Sequence, residues 1–198
     1  MERLLFLTGN AGKLAEASHF FAPLGYQVEQ FLIDGKVPEI IEPQADGLRA
    51  VATAKIQQAR NLLETEGINA AILVEDAGLF IDTLNGFPGV YSASVLQQIG
   101  LSGILQLLAQ KDNRGAEFRA CAAIFVNGEI HFGEGICRGL ISLDEQGENG
   151  FGYDPIFCPE GGSKGTTFGQ MNRAEKEQFS HRAKALESVK IELDALGR

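Results

Sequence analysis

The chain has 198 residues, of which 44% are hydrophobic and 22% are charged, proportions that are ordinary for a soluble globular protein. Its formal net charge of −9 argues against a dedicated binder of nucleic acids or anionic membranes, because such proteins usually carry a basic surface. No stretch approaches the roughly 20 apolar residues that span a bilayer, and the first residues lack the pattern of a signal peptide. The cysteines Cys121, Cys137 and Cys158 are odd in number and widely spaced, which favours reduced thiols in a cytoplasmic protein over disulfides or a zinc site.

The first half of the chain alternates between apolar runs and helical patterns. A short continuous apolar run is typical of a strand buried on both faces, and turn signals separate such runs from helices. In order, the pattern predicts a strand at residues 4–7, a helix that stops near Gly25, a strand around 26–33, a long helix that Asp46 caps and that reaches about Glu66, and a strand at 70–74 that ends at Glu75-Asp76. This β-α-β-α-β order predicts an α/β protein with a partly parallel sheet.

The second half changes character at a predicted hairpin. Asn127-Gly128 is the strongest short hairpin signal. The elements predicted here are ribbon strands at 118–126 and 129–141, glycine-rich loops over about 144–169 and a terminal helix to about Leu196. We expect residues 1–198 to form one domain whose two lobes share one active-site cleft, since polar groups on loops between two lobes are a common site architecture.

A first candidate site is Thr8-Gly9-Asn10-Ala11-Gly12-Lys13, between the first strand and the first helix. Backbone N–H groups at a helix N terminus attract anions, and the glycines let the chain approach a ligand closely. Lys13 stands near the positive end of the helix dipole, where a bound phosphate would relieve the repulsion. The P-loop spacing GxxxxGK[ST] is absent. These residues alone fit a phosphate-binding turn and a plain strand-to-helix turn with an exposed lysine equally well.

The candidate acidic groups are Glu42 and the pair Glu75-Asp76. Asp76 stands at the predicted end of an apolar strand, where open α/β sheets bind ligands. Adjacent carboxylates repel each other, so one of them should pair with a cation or hold a proton. Mg²⁺ accepts oxygen ligands and usually bridges a few carboxylates to substrate phosphates. The alternative is a polar strand end that caps the next turn, with Glu42 in an ordinary loop.

The string Phe151-Gly152-Tyr153-Asp154-Pro155 places two aromatic rings beside one carboxylate in a stiff loop. Phe151 or Tyr153 could stack on a flat heterocycle, and Asp154 or nearby backbone groups could pair with its polar edge. The alternative is a glycine-rich turn that the two rings plug.

Three basic residues follow this loop. In a continuous helix Lys176, His181 and Arg182 would lie about 100° or more apart and could not share a face. Ser180 is a good N-cap, and a helix that restarts there would put His181 and Arg182 in its first turn, which makes an anion site. The alternative is a solvated helix face.

Five motifs in this order resemble those of the inosine/xanthosine triphosphate pyrophosphatase family, and the resemblance covers nearly the whole chain. The motifs are Thr8-Gly9-Asn10-Ala11-Gly12-Lys13, Val74-Glu75-Asp76-Ala77-Gly78-Leu79, Gly86-Phe87-Pro88-Gly89-Val90-Tyr91-Ser92, Gly150-Phe151-Gly152-Tyr153-Asp154-Pro155-Ile156-Phe157, and Glu175-Lys176 with Ser180-His181-Arg182. Any one motif could arise by chance, but five in register are highly specific. The chain departs from a bacterial branch of the family at Ser94, where that branch carries an arginine, and at Ala50-Val51, where a Glu-Asn pair is common.

The resemblance implies the fold of Maf-like proteins and ITPases, an α/β fold in which helices flank an elongated mixed β-sheet and two lobes form a central cleft. It implies an enzyme that uses Mg²⁺ to hydrolyse deaminated purine nucleoside triphosphates (ITP, dITP and XTP) to the monophosphate and pyrophosphate. Members of this family typically form homodimers and keep non-standard bases out of nucleic acids.

The resemblance also implies a role for each motif residue. Thr8 to Lys13 and Lys55 would bind the phosphates. The base would be bound by Phe151, Gly152, Tyr153 and Asp154. Further contacts to both the base and the phosphates would come from Lys176, His181 and Arg182. Asp76 would be the general base and a metal ligand together with Glu42, and Glu75 is a further candidate ligand. Three alternatives remain open: a Maf-like pyrophosphatase that acts on other modified nucleotides, a nucleotide-binding regulator without catalysis, and a structural α/β domain.

Overall fold

The computed structural model describes residues 2–195, which cluster into two compact units. Unit 1 comprises residues 2–76, 121–134 and 184–195, and unit 2 comprises residues 77–120 and 135–183. The predicted end of the terminal helix at Leu196 lies outside the described residues. Because each unit is assembled from separate stretches of the chain, neither can be cut out as one continuous segment.

The described residues form six strands and five α-helices. The strands are β1 (Glu2–Phe6), β2 (Tyr26–Gln30), β3 (Ala71–Ile81), β4 (Gly115–Val126), β5 (Glu129–Ile141) and β6 (Phe157–Pro159). The helices are α1 (Ala11–Phe21), α2 (Leu48–Thr65), α3 (Ser92–Leu107), α4 (Arg173–Glu177) and α5 (His181–Ala195). None of these helices is long and apolar enough to cross a membrane.

The strands form one sheet in the order β2-β1-β3-β4-β5-β6. β1 pairs in parallel with both β2 and β3, whereas β5 and β6 pair in antiparallel fashion. The apolar residues Leu4, Leu5 and Phe6 of β1 are all buried, as a strand covered on both faces requires. The α/β class and the partly parallel sheet predicted from the sequence are confirmed.

Helix α2 shows why the N-terminal half forms helices between its strands. Its buried residues Ala52, Ile56, Ala59 and Leu63 recur at spacings of three and four, which makes one apolar stripe against the sheet. Helix α5 belongs to unit 1 from residue 184 onward, although it lies far along the chain from α2. It packs so closely against β5 that a Cβ on Gly133 would overlap the α5 backbone.

Several boundaries predicted for the first half of the chain are wrong. Asp46 does not cap α2, because Gly47 is the residue that precedes the helix and no side chain caps that end. β2 ends at Gln30 instead of continuing to residue 33. β3 does not end at Glu75-Asp76 but continues to Ile81, because the residues beyond the pair are largely buried and keep the strand inside the fold. The two carboxylates therefore lie within a strand, where sheet register fixes the face that each one occupies.

The predicted hairpin is confirmed. Asn127 and Gly128 have φ values of 51° and 88°, the left-handed conformation that a two-residue turn of this kind needs at both positions. β4 starts at Gly115, earlier than predicted, because the residues before 118 are also buried. The expectation of loops throughout 144–169 is wrong at residues 157–159, which pair with β5 as β6.

Unit 2 contains an aromatic core beneath its glycine-rich loops. The ring centroids of Phe118 and Phe157 lie 4.6 Å apart, and those of Phe157 and Phe168 lie 5.3 Å apart. All three rings are buried with aliphatic residues of α3, β3 and β5 around them. Such a cluster gives the loop that carries Phe151 to Pro155 a fixed base.

Candidate functional site

The turn between β1 and α1 is fixed by its own polar side chains. Asn10 is the N-cap of α1, and its Oδ1 accepts a hydrogen bond of 3.1 Å from the Lys13 N–H. The Thr8 hydroxyl accepts one of 3.1 Å from the Asn10 N–H, and the Gln30 amide donates one of 2.8 Å to the Thr8 carbonyl. A Cβ on Gly9 would meet no atom within 4 Å, so packing does not demand glycine there. The open space beside Gly9 suits close approach of a ligand.

Glu75 and Asp76 are neighbours in β3, yet each meets a lysine from a different helix. The crossovers run in opposite directions along the sheet, from β1 to β2 and from β2 back past β1 to β3. Right-handed crossovers of opposite direction place α1 and α2 on opposite faces, and successive strand side chains also point to opposite faces. Lys13 of α1 therefore meets Glu75, and Lys55 of α2 meets Asp76.

The distances show three short ion pairs. Lys13 Nζ lies 2.7 Å from Glu75 Oε2 and donates a hydrogen bond of 3.3 Å to the Glu75 carbonyl. Lys55 Nζ lies 2.7 Å from Asp76 Oδ1 and 2.6 Å from Glu42 Oε1. All five predicted residues are brought together within unit 1, including Lys55.

Burial sets the electrostatics of the Asp76 carboxylate. Burial raises the pKa of Asp76 above the ordinary value for an aspartate, although the charges of Lys55 and Lys13 oppose that rise. Burial alone would lower the pKa of Lys55, but the charges and hydrogen bonds of Asp76 and Glu42 outweigh it and raise that pKa. Asp76 Oδ2 is buried and has no hydrogen-bond partner among residues 2–195. This oxygen is in place to accept a proton or a cation.

Glu42 and Asp76 are the carboxylates of unit 1 that could hold a divalent cation together. No group of three or more His, Cys, Asp or Glu residues that could hold a metal ion occurs in the described part of the chain. Mg²⁺ is usually bound by one or two carboxylates and by substrate phosphates. Glu42 and Asp76 are two such carboxylates, and both contact the Lys55 ammonium. The second oxygen of Asp76, Oδ2, has no hydrogen-bond partner among the described residues.

Unit 2 holds a second charged cluster around Asp154. Its Oδ2 accepts a hydrogen bond of 2.7 Å from the Phe151 N–H and one of 2.8 Å from Lys176 Nζ. Both charged side chains are almost fully buried, which strengthens their attraction. Gly150 has a φ of 76°, and a Cβ on it would overlap the Asp154 carboxylate. Asp154 therefore fixes the loop and the lysine, and glycine at 150 is required for that arrangement.

Two basic residues of unit 2, Lys176 and Arg182, lie close to the Phe151 ring. Lys176 Nζ lies 4.9 Å from the centroid of the Phe151 ring, and Arg182 Cζ lies 5.3 Å from it. The Ser180 hydroxyl accepts a hydrogen bond of 3.3 Å from the Ala183 N–H at the start of α5, so the predicted cap is confirmed. α4 ends before Ser180, and the break lets Lys176 and Arg182 approach the same ring.

His181 is fixed by a stack instead of by a surface contact. Its ring lies parallel to Phe118, with an interplanar angle of 9° and centroids 4.6 Å apart. His181 and Arg182 are both buried, so the first turn of α5 is part of the folded core and not a solvated helix face.

Tyr153 has a different position from Phe151. Tyr153 is buried in the core of unit 2, and its hydroxyl donates a hydrogen bond of 2.7 Å to the Ser92 carbonyl. Burial raises the pKa of Tyr153 to about 12. Of the two rings in the predicted platform, Phe151 is the one that the basic residues surround.

Ser92 is a residue that sequence reasoning missed. Its hydroxyl accepts a hydrogen bond of 2.8 Å from the Leu79 N–H and donates one of 2.6 Å to the Gly89 carbonyl. It therefore ties β3, the segment before α3 and the Tyr153 loop together. The sequence signal for this role is the polar residue at the end of the motif Gly86 to Ser92, which the resemblance identifies only as a family motif.

The fold and the ion pairs define an α/β protein with one charged cluster in each of its two units. Residues 4–191 match the model of the Ham1 family. The chain belongs to the Ham1 family, which confirms the family resemblance found in its motifs.

Relatives in archaea and bacteria cover almost the full length of the chain. It is 42% identical over 184 residues to the dITP/XTP pyrophosphatase of Thermococcus kodakarensis, with 93% of each chain covered. It is 43% identical over 187 residues to the dITP/XTP pyrophosphatase of Methanopyrus kandleri, again with 93% of each covered. The Staphylococcus aureus Ham1 protein superposes with a TM-score of 0.79 at 26% identity over 98% of this chain and 99% of that one. The nucleoside-triphosphatase / dITP/XTP pyrophosphatase of Mycobacterium abscessus superposes with a TM-score of 0.67 at 31% identity over 93% and 96%.

Proposed function

We propose that this protein is a nucleoside triphosphate pyrophosphatase that hydrolyses deaminated purine nucleotides, namely ITP, dITP and XTP, to the monophosphate and pyrophosphate. The observation that carries the proposal is the buried Asp76 carboxylate, which has one oxygen without a hydrogen-bond partner among residues 2–195 and pairs with Lys55, while its neighbour Glu75 pairs with Lys13 of the turn before α1. Relatives named dITP/XTP pyrophosphatase at 42% and 43% identity support the same reaction.

The phosphate half of the proposal rests on unit 1. The turn from Thr8 to Lys13 offers backbone N–H groups at the N terminus of α1, and the space beside Gly9 admits a phosphate. Lys13 and Lys55 supply positive charge for the pyrophosphate that leaves. Such preorganised charge contributes most to phosphoryl transfer, since the protein does little covalent chemistry itself.

Asp76 is the proton acceptor in this proposal. The oxygen of the attacking water forms a bond to the α-phosphorus while Asp76 takes a proton from that water. The bond between the α-phosphorus and the bridging oxygen breaks, and pyrophosphate leaves with the electron pair. A carboxylate whose pKa is raised by burial is a better base than an ordinary aspartate at neutral pH, which suits Asp76 to this role.

Glu42 and Asp76 would hold the Mg²⁺ ion that the resemblance implies. When bound, the ion would neutralise charge on the triphosphate. Glu75 is turned toward Lys13, so we assign Glu75 to that lysine and not to the metal.

The base half of the proposal rests on unit 2. Phe151 offers a ring face for stacking, and Lys176 and Arg182 offer donors around it. Hypoxanthine and xanthine present O6 as an acceptor and N1–H as a donor, whereas adenine presents the reverse. A pocket that donates to O6 leaves buried groups unpaired when adenine enters, and a mismatch of that kind can cost about 10⁴-fold in kcat/KM. Asp154 and Lys176 hold each other, and His181 stacks on Phe118, so the cluster is preorganised.

We further propose that the protein is a cytoplasmic homodimer, as the family resemblance implies. The subunit mass is 21.3 kDa, so light scattering on a gel-filtration peak should report about twice that mass. A mass near that of one subunit would contradict this part.

The function is tested by a panel of triphosphates with Mg²⁺, assayed for pyrophosphate and for orthophosphate. ITP, dITP and XTP should release pyrophosphate at least about 100-fold faster than ATP, and GTP belongs in the panel because it shares O6 and N1–H. Preference for modified pyrimidine nucleotides would indicate the Maf-like alternative, and binding without turnover would indicate a regulator.

Asp76→Asn tests the catalytic assignment. It should lower kcat for ITP by about 10²-fold or more, because general-base catalysis contributes about 10²–10⁴-fold. Glu64→Gln is the matched control, since Glu64 is exposed and pairs only with Arg60 in the contacts described for it. Near-normal turnover by a folded Asp76→Asn protein would show that the role is wrong.

A further inference from the structure

Lys55 holds both carboxylates that the proposed function assigns to the metal. Its ammonium lies 2.6 Å from Glu42 Oε1 and 2.7 Å from Asp76 Oδ1, and its side chain is only 14% exposed. Glu42 itself is 57% exposed and lies on a segment without helix or strand. The ammonium thus bridges a carboxylate on an irregular segment to one in the middle of β3, as a bound cation would.

The position of Glu42 does not depend on Lys55 alone. Gln58, one turn further along α2, donates a hydrogen bond of 2.8 Å to the Ile41 carbonyl. Its Oε1 accepts one of 3.0 Å from the Ile41 N–H. This two-bond clamp keeps the backbone before Glu42 against α2 when Lys55 moves.

A divalent cation held by Glu42 and Asp76 would come close to the Lys55 ammonium, which contacts one oxygen of each carboxylate. An ammonium and a divalent ion held by the same two carboxylates would repel each other. The four-carbon stem of lysine is flexible enough to carry the ammonium away. Lys13 has no such conflict, because its partner is Glu75 on the other face of β3.

We propose that Lys55 is an internal counter-ion that competes with the metal for Glu42 and Asp76, and that metal binding releases its ammonium for the substrate phosphates. This inference rests on the metal assignment of the proposed function. It makes Lys55 a positioning residue with two opposed effects. Removal of the ammonium should tighten metal binding to the free protein and should slow turnover.

The first experiment measures Mn²⁺ binding without nucleotide, by electron paramagnetic resonance and by calorimetry, at neutral to mildly alkaline pH. Lys55→Met should bind Mn²⁺ about tenfold more tightly than the wild type, a typical size for coupling between two binding events. Lys55→Arg keeps the charge and should stay within about threefold of the wild type. Lys190→Met is the matched control, because Lys190 pairs only with Glu187 in the contacts described for it and should leave Mn²⁺ affinity unchanged.

Lys55→Gln is the second variant in case Lys55→Met fails to fold. Its amide can still donate to Asp76 while the positive charge is gone, so it should show the same gain in Mn²⁺ affinity. Equal or weaker binding by the folded neutral variants would overturn the competition. Absence of measurable Mn²⁺ binding by the wild type and the neutral variants alike would overturn it as well.

A second readout follows Lys55 directly. In protein labelled with ¹⁵N-lysine, the Lys55 Nζ signal is assigned by its loss in Lys55→Arg, and Mg²⁺ should shift or exchange-broaden it. An unchanged signal at saturating Mg²⁺ would refute release of the ammonium. Failure of this inference is distinct from failure of the proposed function. If the wild type makes pyrophosphate from ITP but Lys55→Met gains no Mn²⁺ affinity, only the proposed competition between Lys55 and the metal is refuted. If Lys55→Met gains Mn²⁺ affinity but the wild type makes no pyrophosphate from ITP, only the proposed function is refuted.

Discussion

Replacement of Asp154 by asparagine should lower the melting temperature markedly, because it would leave the buried Lys176 ammonium without the charge of Asp154. The two groups lie 2.8 Å apart, with side chains 9% and 4% exposed. Removal of one partner of a buried ion pair costs about 3–5 kcal/mol of unfolding free energy. Each kcal/mol lowers Tm by about 2–4 °C in a protein of this size, so the expected drop is about 6–20 °C.

Thermal unfolding followed by far-UV circular dichroism measures this drop, and the chain has no tryptophan to report by fluorescence. Glu29→Gln is the matched control, because Arg3 and Glu29 also lie 2.8 Å apart but are 56% and 35% exposed. Exposed pairs contribute at most about 1 kcal/mol. The double variant Asp154→Asn, Lys176→Met should recover part of the loss, since the Lys176 charge that Asp154→Asn leaves unpaired by Asp154 is then also gone. A drop in Asp154→Asn no larger than in Glu29→Gln would refute the reasoning.

Two further predictions concern the thiols and the glycines. Cys158 should be the first thiol to react with an alkylating reagent at neutral pH, because it is partly exposed, whereas Cys121 is buried and its pKa is raised to about 12; mass spectrometry of the native protein counts the labels, and earlier labelling of Cys121 would contradict this. Gly128→Ala should cost only about 1–2 kcal/mol for its positive φ, since a Cβ there meets nothing within 4 Å. Gly147→Ala should cost more at a similar φ, because its Cβ would overlap the Gly169 backbone; equal unfolding midpoints in urea would refute the contrast.

Local signals were enough to predict the parts of the fold that depend on backbone conformation and burial. The apolar run at β1 favours a buried strand and Asn127-Gly128 favours a two-residue hairpin turn, and the sequence predicts both. It does not predict where β3 ends. A pair of adjacent carboxylates indicates the end of a strand unless cations neutralise it, and here Lys13 and Lys55 do so from 62 and 21 residues away in the chain. No local pattern displays that compensation.

The site shows the same division between local and distant causes. The motifs identify the segments that carry the two charged clusters. The sequence does not show which of the two rings in the segment from Phe151 to Pro155 lies beside the basic residues. The hydrogen bond from the Tyr153 hydroxyl to Ser92, 61 residues away, places that ring in the core. The sequence predicts a turn at Asn10. That Asn10 caps α1 depends on the orientation of its side chain, which accepts a hydrogen bond from the Lys13 N–H.

The packing of α5 against Gly133 constrains how a newly made chain can fold. Residues 184–195 belong to unit 1 together with the N-terminal stretch, and the α5 backbone fills the space that a Cβ on Gly133 would need. Ribosomes add about 5–20 residues per second, so Lys13 and Lys55 emerge many seconds before the helix that completes their unit. The nascent chain must carry the turn from Thr8 to Lys13 on an unfinished hydrophobic surface until α5 has been made. A stop codon anywhere before residue 184 would release a chain that lacks at least one of the three stretches of unit 1, and the hydrophobic surface left uncovered would make such fragments substrates of chaperones and proteases.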